Sequence, residues 1–178
     1  MKMLLHIIFG FSLALLGLYA GYRDNSYSGQ TVIPQSIPQD LMITLERQGG
    51  LKNCPVYKLT ITADGAVVFE GRRCVKQEGA TIKSAISQEQ LKQLITELDR
   101  VNFFSLEDEY WRDPRVCDGV RSDDKEAFTS IRVNGKSKTI RHYHGCMGPK
   151  VPKELTELEN KIDEIVNTAQ WLPDKKGR

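Results

Sequence analysis

Residues 141–148 read RHYHGCMG. In an extended strand, side chains two apart point the same way, so His142, His144 and Cys146 would share one side. Two imidazoles and a thiolate can hold zinc or copper, with Cys117 as a fourth ligand, and a cysteine beside a histidine is also a nucleophile pattern. The same residues read equally as two ordinary histidines next to one end of a disulfide. The compartment decides between these readings.

The first twenty residues, MKMLLHIIFGFSLALLGLYA, carry one lysine, then an uncharged apolar run from Met3 to Tyr19, then the small Ala20. That is the plan of a secretory signal peptide over 1–20, cut after Ala20; the other reading is an uncleaved membrane anchor, since the run approaches the length that spans a bilayer. Either way the remainder is expected outside the cytoplasm, in the periplasm or secreted. All four cysteines, Cys54, Cys74, Cys117 and Cys146, fall in that remainder. An even number of thiols in an oxidising compartment points to disulfides, and no short C-x-x-C of a structural zinc site is present. The expectation is therefore two disulfides, no catalytic residue, no cofactor and no metal; the alternative is a metal-binding protein or metal-dependent enzyme using His142, His144 and Cys146.

Composition bounds the partners. The chain has 178 residues, 40% hydrophobic and 27% charged, which suits a folded domain with its own core. Removing the first twenty residues takes away only Lys2, so 25 basic groups become 24 against 23 acidic ones, one net positive charge. So small a charge draws in neither nucleic acid nor an anionic membrane. Membrane association is expected only if the N-terminal segment is retained, and the partner is otherwise an unknown envelope protein or ligand.

The elements that must position these residues follow from periodicity. Residues 21–40 are polar with Pro34 and Pro38 and read as a linker; a single globular domain is expected over 41–172, with a polar tail at 173–178. LMITLER (41–47) alternates as a half-buried strand. In 54–71, Tyr57, Leu59 and Ile61 share a face, and Asp64-Gly65 reads as a two-residue hairpin turn. Ser87 and Gln90 form a capping box ahead of the stripe Leu91, Leu94, Ile95, Leu98, Val101. A second hairpin turns at Asn134-Gly135, and a last helix begins near Pro152 with Leu155, Leu158, Ile162 and Ile165 on one face. Two hairpins and two one-sided helices make an α+β fold: an antiparallel sheet of about five strands with both helices on one face. The second turn places His142 and His144 on the side of Thr129, Ile131 and Ile140, the core side.

Extending the first hairpin brings Cys54 close to Cys74, provided a bulge at Gly71 adds one residue; Cys117 and Cys146 flank the second hairpin. The expected pairs are Cys54–Cys74 and Cys117–Cys146. The loop 105–126 holds eight carboxylates and four basic groups but lacks the regular calcium-loop pattern, and reads as solvated. Within it, Tyr110 and Trp111 either lock the loop onto the core or offer a binding face, and are the binding candidates. No G-x-S-x-G elbow, phosphate loop or H-E-x-x-H is present. With both histidines read as structural, the expected role is a non-enzymatic binding or structural module.

Cys54-Pro55-Val56-Tyr57, Asp64-Gly65, Glu70-Gly71, Val75, Ser87, Phe103-Phe104, Tyr110, Asn134-Gly135-Lys136, Leu155, Leu158, Ile162-Asp163 and Trp171 together resemble a bacterial exported family known only as a domain of unknown function. The resemblance runs from Leu41 to Trp171 and implies export and this fold, with no activity. Members often carry a cysteine four residues before the C-P-x-Y cysteine; here that position is Gly50, a departure that leaves Cys54 to pair with Cys74.

Overall fold

Strand alternation decides which face of the sheet is covered, and the computed structural model, which describes residues 36–50 and 54–174, follows it closely. In chain order the strands and helices are β1 (Met42–Gln48), β2 (Val56–Thr62), β3 (Ala66–Arg73), β4 (Thr81–Ala85), α1 (Gln88–Arg100), β5 (Glu109–Tyr110), β6 (Gly119–Val120), β7 (Glu126–Val133), β8 (Lys136–Tyr143), β9 (Cys146–Met147) and α2 (Lys153–Val166). The expected signal peptide, most of the linker and the end of the tail lie outside the described residues.

The fold is α+β, but the sheet is larger than expected and mixed. Seven strands run in the order β4-β3-β2-β1-β7-β8-β5, and β6 and β9 form a separate two-stranded ribbon. Both ribbon strands and two strands of the main sheet escaped the sequence reading. β4 pairs antiparallel with β3 although only Ile82 of its five residues is even half-buried, so it carries no apolar alternation. β5 is two residues inside the polar loop, and it pairs parallel to β8, which is what makes the sheet mixed.

The buried face takes every second residue: Ile43 and Leu45 from β1, Leu59 and Ile61 from β2, Val67 and Phe69 from β3, Ala127 and Ile131 from β7, Ile140 from β8. Each fully buried Leu or Ile contributes about 1.5–3 kcal/mol over its exposed state. α1 and α2 cover this face with Leu91, Leu94, Leu155, Leu158 and Ile162, and Gln90 Nε2 donates to Ile165 O at 3.0 Å to tie one helix to the other. The capping box opens α1 as its residues dictate: Gln90 N donates to Ser87 Oγ, and Ser87 N to Gln90 Oε1. α2 stops earlier than its apolar stripe suggests because Asn167 turns left-handed, φ 58°, into a short 3-10 turn ending at Trp171.

The hairpins differ in their turns. Asn134-Gly135 is a two-residue turn, both residues at positive φ, between the paired Val133 and Lys136. Asp40, at the end of the polar stretch, accepts from both turn amides, Asn134 N at 2.8 Å and Gly135 N at 2.7 Å. The first hairpin instead closes through the three residues 63–65, with Gly65 at φ 85°, because Ile61 pairs with Val67 and not one residue further on. A β-carbon on Gly65 would also stand 2.5 Å from Ile86 O. The register shifts once more between Tyr57↔Gly71 and Val56↔Arg73, a bulge at the open end of the hairpin.

Candidate functional site: a buried histidine–carboxylate cluster

The two disulfides come first, because they decide what the histidines can do. Cys54 is bonded to Cys74 and Cys117 to Cys146, with Cα–Cα separations of 5.7 and 5.2 Å, and no described cysteine is free. Cys146 therefore has no thiolate to offer a metal or a substrate, and neither has Cys117. The His142–His144–Cys146 ligand set is corrected on that ground. Gly145 makes the bond geometrically accessible: a β-carbon there would meet Arg121 O at 2.3 Å, so only glycine lets the chain pass from His144 into β9 beside Cys117.

The histidines meet a carboxylate instead. His142 lies one residue before the end of β8 on the covered face, 2% exposed, and His144 follows it two residues on. Across from them α2 presents Glu159, 0% exposed, in the middle of its apolar stripe. His142 Nδ1 and Glu159 Oε1 share a hydrogen bond of 2.7 Å, and His144 Nε2 lies 3.1 Å from Glu159 Oε2. The second contact is an electrostatic one: His144 Nε2 is a buried nitrogen without a properly directed hydrogen-bond partner in the protein. The two rings are tilted 34° to one another, centroids 4.3 Å apart.

β1 supplies the counter-charge. Arg47 Nη1 donates to Glu159 Oε2 at 3.0 Å, while its Nε and Nη2 donate to Asp163 Oδ2 at 3.1 and 2.9 Å. Tyr57, on β2, donates its hydroxyl to Asp163 Oδ1 at 2.6 Å. Glu159 and Asp163 are one helical turn apart, so a single face of α2 aims both carboxylates at the sheet. Burial alone would raise the Glu159 carboxyl, but the hydrogen bond from His142, the close contact of His144 and the Arg47 charge outweigh it and hold the group at about 2. Burial likewise disfavours the Arg47 charge, and the two carboxylates overcome it and raise its basicity. The Tyr57 hydroxyl is pushed up, first by burial and then by Asp163.

Glu159 is the residue that sequence reasoning passed over, along with Arg47 and Asp163. Its signal was present: a charged residue at the position between Leu155 and Ile162 where the helical stripe calls for an apolar one. That carboxylate comes from another element, beyond the reach of local spacing.

The aromatic candidates are packed into the fold. Tyr110 is 3% exposed, its hydroxyl accepts from Glu107 N, and its ring meets His142 edge-on. Trp111 stands edge-on to Tyr143 and beneath the Arg141 guanidinium, 3.9 Å from its ring centre. A polar cleft of about 980 Å³ lies against Tyr110, and much of its charged lining is already paired, Lys138 with Asp108, Arg115 with Asp113 and Glu109 with Arg141.

Residues 41–166 match the family described as Domain of unknown function (DUF6438). The chain belongs to that family. A comparison with curated proteins gives no match. The DUF6438 region begins one residue before β1 and ends with α2, so it contains Arg47, Tyr57, His142, His144, Glu159 and Asp163, the whole buried cluster.

Proposed function

We propose that this DUF6438 domain is an exported module of a bacterial cell envelope that binds or braces another envelope component and performs no turnover. The observation that carries the reading is the cysteine set. Four cysteines close two disulfides across separations of 20 and 29 residues, which suits an oxidising, extracytoplasmic compartment. The N-terminal segment supports export, with cleavage after Ala20 and a linker running to residue 40. Among the described residues no helix is long and apolar enough to cross a membrane. A binding role is favoured because every cysteine is bonded, and because the His142 imidazole is buried and engaged by Glu159 where a substrate would need it free. The near-neutral charge favours a protein or small ligand over nucleic acid.

The test is expression with the native N-terminus, fractionation, and thiol labelling of the denatured protein. The expected result is a chain shortened by about the length of the apolar segment, in the periplasmic or medium fraction, with no free thiol. Recovery in the cytosol with four reactive thiols would sink the reading. So would hydrolysis of ester, peptide or phosphate substrates that a single substitution abolishes.

A further inference from the structure

We propose that His142, His144 and Glu159 form a binding site for one divalent transition-metal ion of the zinc class, held between β8 and α2. The donor atoms of the three residues all lie within 4.8 Å of one another, and the closest pairs stand at 2.7 and 3.1 Å. Zinc bonds of about 2.1 Å in a tetrahedron set donors about 3.4 Å apart, a separation inside the observed range. A small movement of the Glu159 carboxylate away from the rings opens the space. Two imidazoles and one carboxylate suit zinc, copper or nickel, whereas calcium and magnesium take oxygen alone.

Two further observations point to a cation here. His144 Nε2 is buried, 3.1 Å from Glu159 Oε2 but without a directed hydrogen-bond partner, and an ion beside it satisfies that nitrogen. Charge is the second: Glu159 and Asp163 bring two carboxylates to the one guanidinium of Arg47. Arg47 bonds Glu159 Oε2 and Asp163 Oδ2 together and so orients the Glu159 carboxylate, as outer-shell donors of metal ligands do. Entry of the ion displaces the proton shared by His142 Nδ1 and Glu159 Oε1, to the other ring nitrogen or to solvent. Three protein ligands leave the fourth tetrahedral position for water or for a donor from a partner.

The experiment uses the full, tag-free exported chain with both disulfides intact, stripped with chelator and titrated with zinc chloride. Calorimetry should give one ion per chain, the thermal midpoint should rise with zinc, and the ring-proton resonances of both His142 and His144 should shift. His144→Asn should weaken binding at least about tenfold, since losing a ligand exceeds losing an outer-shell partner. No zinc uptake by the wild-type protein overturns the proposal. Uptake that leaves either histidine resonance unmoved, or that persists unchanged in His144→Asn, puts the ion elsewhere and overturns it too. The resonance shifts are read on the wild-type chain, so a poorly folding variant does not rescue a failed prediction.

Discussion

The β2–β3 and β7–β8 hairpins have the same plan, two strands with a disulfide beyond their open end, yet they fill their covered faces differently. The first presents Tyr57, Leu59, Ile61, Val67 and Phe69, and Phe69 stacks on Tyr57 at 5.4 Å and against Trp171 at 4.6 Å. The second presents Ala127, Thr129, Ile131, Ile140 and His142, which puts a hydroxyl and an imidazole where the first hairpin has hydrocarbon. Buried polar groups cost stability unless they are fully partnered. The first hairpin is therefore an anchor, and the second is the place where packing gives way to chemistry. The division is not complete, since the Tyr57 hydroxyl reaches past β1 to Asp163 and joins the charged cluster.

The largest expected effects set anchor against cluster. Phe69→Ala should cost about 3–5 kcal/mol in urea unfolding, because a fully buried ring is lost from between two others. A loss below about 1 kcal/mol would remove the anchor's claim to dominance. Glu159→Gln should cost about 3 kcal/mol near neutral pH, because it leaves Arg47 facing an uncharged partner in a buried site. Acid sharpens this. The folded carboxyl sits at about 2 against an ordinary 4.5, so its stabilising contribution is complete above pH 4.5 and disappears as pH falls toward 2. That depression corresponds to about 3 kcal/mol. Unfolding free energy measured across that window should fall more steeply for wild type than for Glu159→Gln, and parallel curves would deny the carboxylate its role.

The disulfides should come next and should nearly match. Replacing Cys54 and Cys74 together by alanine, or Cys117 and Cys146 together, should each cost about 3 kcal/mol. Separations of 20 and 29 residues differ by only about 0.3 kcal/mol in loop entropy. The asymmetry should appear at the cluster. Opening Cys117–Cys146 frees the chain two residues past His144 and should move the His142 and His144 ring resonances, whereas opening Cys54–Cys74 should leave them in place. Equal disturbance by both would erase the functional distinction between the hairpins.

Local chemistry made much of the frame legible in sequence. Asn134-Gly135, the Ser87–Gln90 capping box and the alternation through Leu59 and Ile61 each depend on neighbours a few residues away, and all recur in the structure. What stayed hidden depends on distant partners. β4 has no apolar face because it lies at the sheet edge, and β5 acquires strand character only by lying beside Arg141 and His142. The five-stranded, wholly antiparallel sheet was therefore too small. The cluster joins Arg47, His142 and Glu159 from three elements, the first two 95 residues apart, and nothing in RHYHGCMG names its carboxylate. The charged residue interrupting the stripe of α2 was the legible trace, since a glutamate is rarely buried without a partner.

The smallest effect tests the contrast most directly. Thr129, 1% exposed, carries a buried hydroxyl with no hydrogen-bond partner in the protein, and it faces Ile140 across the second hairpin. Thr129→Val removes that hydroxyl at nearly constant shape and should stabilise the chain by up to about 1 kcal/mol. The mirror exchange in the first hairpin, Val67→Thr, buries a hydroxyl among Ile61 and Phe69 and should cost about 1–3 kcal/mol. Opposite signs follow if the second hairpin sacrifices packing at this position. If Thr129→Val instead destabilises, the hydroxyl has a partner in solution, and the polar interior of β7–β8 extends beyond His142 into a larger hydrated site.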